Sequence, residues 1–253
     1  MHVADSGIDS VLRDRVALIT GASGGIGQEI ARRLAESGTD LLLTYGGHAD
    51  EAEHVADQAR KLGRRAEVMQ ADFADPDTPA RVVAAADERL GGIDVLVPAA
   101  GVAAQKSWED VDGALWDETM TVNVRAPFFL AQQTLPRMVE QRFGRILLFS
   151  SVAAFTGGVI GPHYAAAKAA LHGLVHNLSA NVAGSGVTIN AIAPALIAGT
   201  RMLPLGPDEP VPARIPAGRL GTTEEVADLS LAMLRNGYLT NKVIGLDGGA
   251  YPD

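Results

Sequence analysis

The chain has no cysteine, which excludes disulfides, zinc–thiolate centres and cysteine nucleophiles. It is short of positive charge: 21 basic residues face 30 acidic ones, for a formal net charge of −9. Such a surface repels phosphate backbones, so nucleic acid is not an expected partner, and a strongly acidic protein partner is disfavoured for the same reason. Lysine is scarcer still: only Lys61, Lys106, Lys168 and Lys242 are present, the other basic residues being arginine. No apolar run reaches the roughly 18 residues of a membrane helix. The opening stretch from Met1 to Arg15 is mixed and polar, unlike a signal peptide or an anchor, so a cytoplasmic location with no membrane attachment is expected. Repeats, coiled-coil heptads, low-complexity segments and linkers are missing too. Residues 1–253 are therefore expected to form one domain.

What is present is an alternation of short apolar runs with longer amphipathic stretches. Strands are expected at Arg15–Thr20, Asp40–Thr44, Arg65–Gln70, Ile93–Val97, Arg145–Ser150, Val187–Ile192 and Lys242–Leu246. Helices are expected at Gly25–Ser37, Asp50–Leu62, Pro76–Leu90, Ala114–Gln141, His163–Ala183 and Thr223–Leu234, with Pro127 and Pro136 bending or interrupting the fourth of them. Strands that alternate with helices imply right-handed βαβ units. Near-continuous apolar strands imply a parallel sheet covered on both faces. The fold expected is thus α/β, a Rossmann-like, doubly wound parallel sheet of about seven strands. The Pro-rich stretch Leu203–Pro216 reads as a stiff excursion or lid, with a substrate segment at about 200–216.

Between the first strand and first helix lies Thr20-Gly-Ala-Ser-Gly-Gly-Ile-Gly27. Gly21, Gly25 and Gly27 allow a tight turn and close approach of backbone to a pyrophosphate, while the helix start, with Ser23 and Ile26 beside it, offers free N–H groups to the anion. Three glycines alone are a weak signal; their place on a strand–turn–helix at the head of a βαβ series strengthens it. After the second strand, Tyr45, Gly46, Gly47 and His48 include no carboxylate, which permits a 2′-phosphate and favours NADP(H) over NAD(H). No Arg or Lys stands in that segment or in the glycine turn, and His48 is as readily a solvated loop histidine as a phosphate contact. Asp72, next to Phe73, either accepts a bond from an adenine amino group or closes a turn. Pro98-Ala-Ala-Gly101, with Ala100 and Gly101, is expected beside the adenine ribose.

Tyr164 and Lys168 are four apart on an expected helix and share a face. With 4 Tyr and 4 Lys in 253 residues, chance supplies roughly 0.06 such pairs. A neighbouring ammonium, and the positive oxidised nicotinamide, favour the phenolate and are expected to lower the tyrosine pKa, improving proton transfer. Ser151, at the end of the fifth strand, can hydrogen-bond a reacting oxygen; no Gly-x-Ser-x-Gly elbow surrounds it, which argues against a serine nucleophile. His172 and His176 are also four apart, but no third ligand is evident, so no metal site is expected.

These pieces together resemble the short-chain dehydrogenase/reductase family over nearly the whole chain. The matching residues are Gly21, Gly25, Gly27, Asp72, Asn123, Ser151, Tyr164, Lys168, Pro194, Pro216 to Gly221 and Asp247 to Gly249. The overall pattern is similar to bacterial 3-oxoacyl-[acyl-carrier-protein] reductases. The resemblance implies that Tyr164 transfers a proton to or from the substrate oxygen, Ser151 orients that oxygen, and Lys168 holds the nicotinamide ribose. It also implies that Asn123 helps hold a relay water and that Pro194 to Thr200, through Ile197, contacts the nicotinamide. Side-chain amides usual in the family are replaced by Ala99 and Pro98, so that loop needs support from elsewhere. Basic residues common among NADP-using members are replaced by Gly24 and Gly46.

The implied activity is hydride transfer between NADP(H) and a small carbonyl compound or secondary alcohol. Two alternatives stand beside it: reduction of a carrier-bound 3-oxoacyl group, and a dinucleotide-binding sensor or scaffold without catalysis. Basic docking residues for an acidic carrier would lie near Pro136 and Ser185; neither is basic, although Arg137 and Arg142 are close. A pocket lined by Val102 to Lys106, Ala153 to His163 and the lid would be mostly apolar, with His163 and Lys106 as polar exceptions. The resemblance also implies a homotetramer. Ala165, Ala166, Ala169, Ala170 and Gly173 would permit close helix contact across an interface, or inside the domain.

Overall fold

The computed structural model describes residues 10–203 and 215–251. Seven strands, β1 Val16–Thr20, β2 Asp40–Tyr45, β3 Ala66–Gln70, β4 Val95–Pro98, β5 Gly144–Phe149, β6 Val187–Pro194 and β7 Lys242–Leu246, form one sheet in the order β3-β2-β1-β4-β5-β6-β7. Every pairing is parallel. The helices are α1 Gly25–Glu36, α2 Ala49–Lys61, α3 Thr78–Leu90, α4 Gly113–Met120, α5 Ala126–Glu140, α6 Ala153–Thr156, α7 Pro162–Val182 and α8 Thr223–Arg235.

The strand period of two sorts the core. In β1, Ala17 and Ile19 join one apolar cluster with Ile30 and Leu34 of α1, Val55 of α2 and Val226 of α8. Val16 and Leu18 point the other way, to Val82 of α3, Leu130 of α5 and Leu171 of α7. Burial on both faces is what the continuous apolar runs require. The strand order reverses between β1 and β4. Beyond the carboxyl ends of those strands the loops diverge and leave the crevice in which such sheets bind ligands.

Several boundaries differ from expectation. The third helix starts at Thr78, not Pro76, and Pro79 takes the first-turn position, where a missing N–H costs nothing. The long fourth helix is two helices joined by a π-helical turn, Thr121–Arg125. The interruption falls ahead of Pro127, which sits in the first turn of α5, and Pro136 is accommodated inside α5. Such widened turns recur at functional sites, and this one carries Asn123. The fifth strand ends at Phe149, so Ser151 lies two residues beyond it and just before the unexpected short helix α6. β6 runs on to Pro194, because its last residues pair with Gly245 and Leu246 of β7. Of the expected lid, Leu203, Ile215 and Pro216 belong to the described residues and 204–214 lie outside them. No described helix is long and apolar enough to cross a membrane.

The glycine turn shows which glycines the fold needs. A Cβ on Gly27 would stand 2.5 Å from the Gly21 carbonyl oxygen, and one on Gly21, at φ +66°, would meet the Ala100 backbone at 2.9 Å. A Cβ on Gly46 would meet nothing within 4 Å. Gly27→Ala is therefore expected to lower unfolding free energy by about 1–3 kcal/mol through overpacking, and Gly46→Ala by less than about 0.5 kcal/mol. Urea midpoints of the two variants check this; equal losses would show that the turn is not tightly packed.

Candidate active site

The site is assembled where β1, β4, β5 and β6 end. Lys168, on the buried face of α7 one turn after Tyr164, reaches the end of β5, where its Nζ donates to the Phe149 carbonyl at 2.8 Å. The amine lies 5.6 Å from the Tyr164 ring centre. Burial holds the Lys168 pKa down to about 8, because an ammonium loses hydration there. Gly101 faces the same spot: a Cβ on it would come within 3.8 Å of the amine and 3.1 Å of Asn123 Oδ1.

Tyr164 is buried, and burial pushes its phenol above the ordinary value near 10, opposed by a hydrogen bond with Ser151. This reverses the expected lowering. The physical reason is the hydration that the phenol loses on burial; Lys168 is itself a desolvated amine bonded to Phe149. The Tyr164 hydroxyl also approaches Met202 Sδ at 4.0 Å, a contact that no local spacing foretold. Ser151 Oγ lies 3.5 Å from the Pro194 carbonyl and accepts from the Ala153 N–H at 3.2 Å. Tyr164, Ser151, Lys168 and Pro194 are thus brought together.

Asn123 is buried with both side-chain polar atoms bonded to Val102: Oδ1 accepts from its N–H and Nδ2 donates to its carbonyl, each at 2.9 Å. Together with Thr20, whose hydroxyl accepts from the Ala100 N–H at 3.0 Å, it supplies the backbone support that Pro98 and Ala99 do not.

The expected cofactor residues line the same crevice unevenly. α1 begins with Gly24 at the cap position, no side-chain cap and no acidic residue in its first turn, leaving its N–H groups and positive dipole end open to an anion. Gly25 approaches the far side of the crevice: its Cβ would stand 2.7 Å from the Gly199 carbonyl. Ser23 is buried; Ile26 is half-buried. Thr200 Oγ1 donates to the Ile197 carbonyl at 3.0 Å, and Ile197 is buried and bridged to Gly221. Tyr45 is half-buried and His48 is exposed just before α2. Asp72 closes a turn, its Oδ1 accepting from the Ala74 N–H at 3.0 Å. The Phe73 side chain packs in the core, so only its backbone is left to meet a ligand.

His163 also departs from expectation. It is fully buried, with Nε2 on the Ala104 carbonyl at 3.0 Å and Nδ1 without a partner, so it braces the loop after β4 and does not line an open pocket. His172 meets Ser150 Oγ at 2.8 Å and His176 meets Asn241 at 2.6 Å, two separate contacts. Arg201 reaches the glycine turn from 178 residues away, donating to the Ser23 carbonyl at 2.8 Å. Nothing in its local sequence signals this.

The family model for short chain dehydrogenases matches residues 15–208. The 3-oxoacyl-[acyl-carrier-protein] reductase FabG of Aquifex aeolicus is 33% identical over 245 residues, covering 95% of this chain and 98% of the relative. An L-rhamnose 1-dehydrogenase (NADP(+)) of Thermoplasma acidophilum is 32% identical over 240 residues, covering 92% of this chain and 94% of the relative. A blue fluorescent protein from a metagenomic library, solved in complex with NADPH, superimposes with a TM-score of 0.88 at 33% identity, covering 96% of this chain and all of that one. The chain belongs to the short-chain dehydrogenase family and is an oxidoreductase.

The depressed Lys168 pKa has a consequence for stability. Between about pH 8 and the unperturbed 10.5, the unfolded chain holds a proton on this amine that the folded chain has released. Folding stability contributed by this group therefore rises with pH across that window, by up to about 1.4 kcal/mol per unit. The difference in urea stability between wild type and Lys168→Met should show that slope; a flat difference from pH 8 to 10 would contradict the buried, destabilised ammonium.

Proposed function

We propose that this enzyme interconverts a small carbonyl compound and a secondary alcohol with NADP(H), Tyr164 being the group that exchanges a proton with the substrate oxygen. The observation that carries the proposal is the convergence of the Tyr164 hydroxyl, Ser151 and the buried Lys168 amine at the ends of β5 and β6. The bound nicotinamide supplies the hydride. Because burial keeps its pKa high, the Tyr164 phenol holds its proton at neutral pH, which suits donation to a carbonyl being reduced. Ser151, whose hydroxyl opposes the effect of burial on that phenol, is placed to polarise the same oxygen. Lys168 and Gly101 face the ribose side, Gly21, Gly25 and Gly27 the pyrophosphate. Ile197 and Thr200 stand where the carboxamide would lie. Asn123 acts as a positioning residue through Val102. One domain carries cofactor and substrate alike.

The NADP(H) preference is supported by the lack of a carboxylate from Tyr45 to His48 and by the NADPH bound to the similar metagenomic protein. The 3-oxoacyl-[acyl-carrier-protein] reading is favoured by the Aquifex relative, but a relative of nearly the same identity is named for a free sugar. The chain's charge of −9 opposes docking of an acidic carrier, and Arg142 donates to the Gly184 carbonyl at 3.2 Å within its own chain. A free substrate remains the first reading.

A homotetramer is part of the proposal. It is supported by α7, where Ala166 and Gly173 lie exposed and Ala165, Ala169 and Ala170 half-buried, a small-residue surface that permits close helix approach. Light scattering at micromolar concentration should give about four times the 26.3 kDa chain mass; a monomer would overturn it.

Tyr164→Phe should reduce turnover about 10³-fold, within the range that positioned proton transfer contributes, and leave cofactor affinity within a few-fold. NADPH oxidation over a panel of ketones, aldehydes and acyl thioesters, with cofactor binding measured in parallel, checks this. Tight binding with no turnover of any compound by the wild type would favour a non-catalytic sensor. Equal loss of binding and turnover in the variant would assign Tyr164 a structural role.

A further inference from the structure

Neither the glycine turn nor the segment just after β2 holds a lysine or arginine; Gly24 and Gly46 stand there. The structure brings a guanidinium to the same place by another route. Arg201, just after the loop that follows β6, donates through Nη2 to the Ser23 carbonyl at 2.8 Å and lies with Nη1 3.4 Å from Ser23 Oγ. The same Nη2 pairs with Glu51 Oε2 at 2.7 Å. Gln28 reinforces the cluster, its Nε2 donating to the Ser23 carbonyl at 3.0 Å and to Glu51 Oε2 at 3.3 Å.

We propose that Arg201 is the ligand of the cofactor 2′-phosphate, exchanging Glu51 for that phosphate when NADP(H) binds. This rests on the cofactor preference proposed above and names the residue that would create it. Three observations point to the 2′-phosphate over the pyrophosphate. The guanidinium bridges the glycine turn and the first turn of α2, the segments flanking the end of β2, where the adenosine ribose is held in sheets of this kind. Gly46 and Gly47, between them, are exposed, and a Cβ on either would meet nothing within 4 Å, leaving room for a bulky anion. The pyrophosphate belongs at the uncapped start of α1, which Ser23 adjoins, so it is the Glu51 end of the bridge that carries the guanidinium past it toward the ribose.

The exchange is physically easy. Arg201 and Glu51 are both about half-exposed, at 49% and 46%, and such pairs contribute little to stability. A phosphate monoester carries more charge than a carboxylate and offers three oxygens to the planar fork of an arginine. The displaced Glu51 carboxylate would then stand near the incoming dianion and oppose it, so the pair would tune affinity in opposite directions.

The test is equilibrium binding by calorimetry, using NADPH, NADH and 2′-AMP as probes with the wild type, Arg201→Gln and Glu51→Gln. The inference predicts that Arg201→Gln weakens NADPH and 2′-AMP at least tenfold and leaves NADH within twofold. Glu51→Gln should tighten NADPH several-fold. Equal weakening of NADPH and NADH by Arg201→Gln would assign the guanidinium to the pyrophosphate and overturn the inference. No change with any probe would leave it an ordinary surface ion pair and overturn it as well. Weaker NADH binding in Glu51→Gln would give that carboxylate to the ribose hydroxyls and likewise refute the exchange. A wild type that prefers NADH would defeat the NADP(H) reading itself. A wild type that prefers NADPH, with the preference intact in Arg201→Gln, would defeat only the role of Arg201.

Discussion

The site depends on one buried contact, the Lys168 amine against the Phe149 carbonyl. A buried amine is held at the end of a strand by a carbonyl acceptor, and its charged form is disfavoured. The contact requires β5 to stop at Phe149 and α7 to pass directly behind it. One helical turn earlier, the same geometry turns Tyr164 toward Ser151 and the end of β6. Sheet, helix and chemistry therefore share one anchor, and most of what surrounds it serves to keep it in register. Asn123 holds Val102, Thr20 holds Ala100, and His163 holds Ala104, so the loop after β4 is fixed from three sides.

Around that anchor the protein handles charge economically. α1 starts without an acidic residue or a side-chain cap, and no lysine or arginine occurs in the glycine turn or just after β2. On the proposed reading, binding an anionic dinucleotide to a chain of charge −9 falls to backbone N–H groups, a helix dipole, the Lys168 amine and whatever cation comes from elsewhere. Arg201, lying on Ser23, is such a cation, and it arrives on the segment that also brings Met202 to Tyr164. Cofactor side and substrate side are joined through two adjacent residues.

The architecture was largely visible in the sequence because both signals behind it are local: apolar runs with helical stretches between them, and glycines on a strand–turn–helix. Tyr164 and Lys168 stood out for the same reason, four residues apart in a chain with few lysines. The failures are non-local. Burial, which raises the Tyr164 pKa where spacing alone suggested lowering it, depends on everything packed over α7. The π turn at Asn123 reflects how α4 and α5 meet around Val102, and the prolines at Pro127 and Pro136 gave the wrong place for the break. His163 looks like a pocket residue by position and is a brace by packing. Arg201 could not be assigned from spacing, since its partner lies 178 residues away.

In the proposed mechanism, catalysis turns on a phenol that is protonated in the resting enzyme and becomes more acidic when a cation is brought beside it. The direct measurement is an ultraviolet titration of tyrosinate, wild type minus Tyr164→Phe, with and without oxidised cofactor. The account predicts that Tyr164 ionises above pH 10 in the free protein and at distinctly lower pH in the complex. Ionisation below 10 without cofactor, or no movement when cofactor binds, would contradict it.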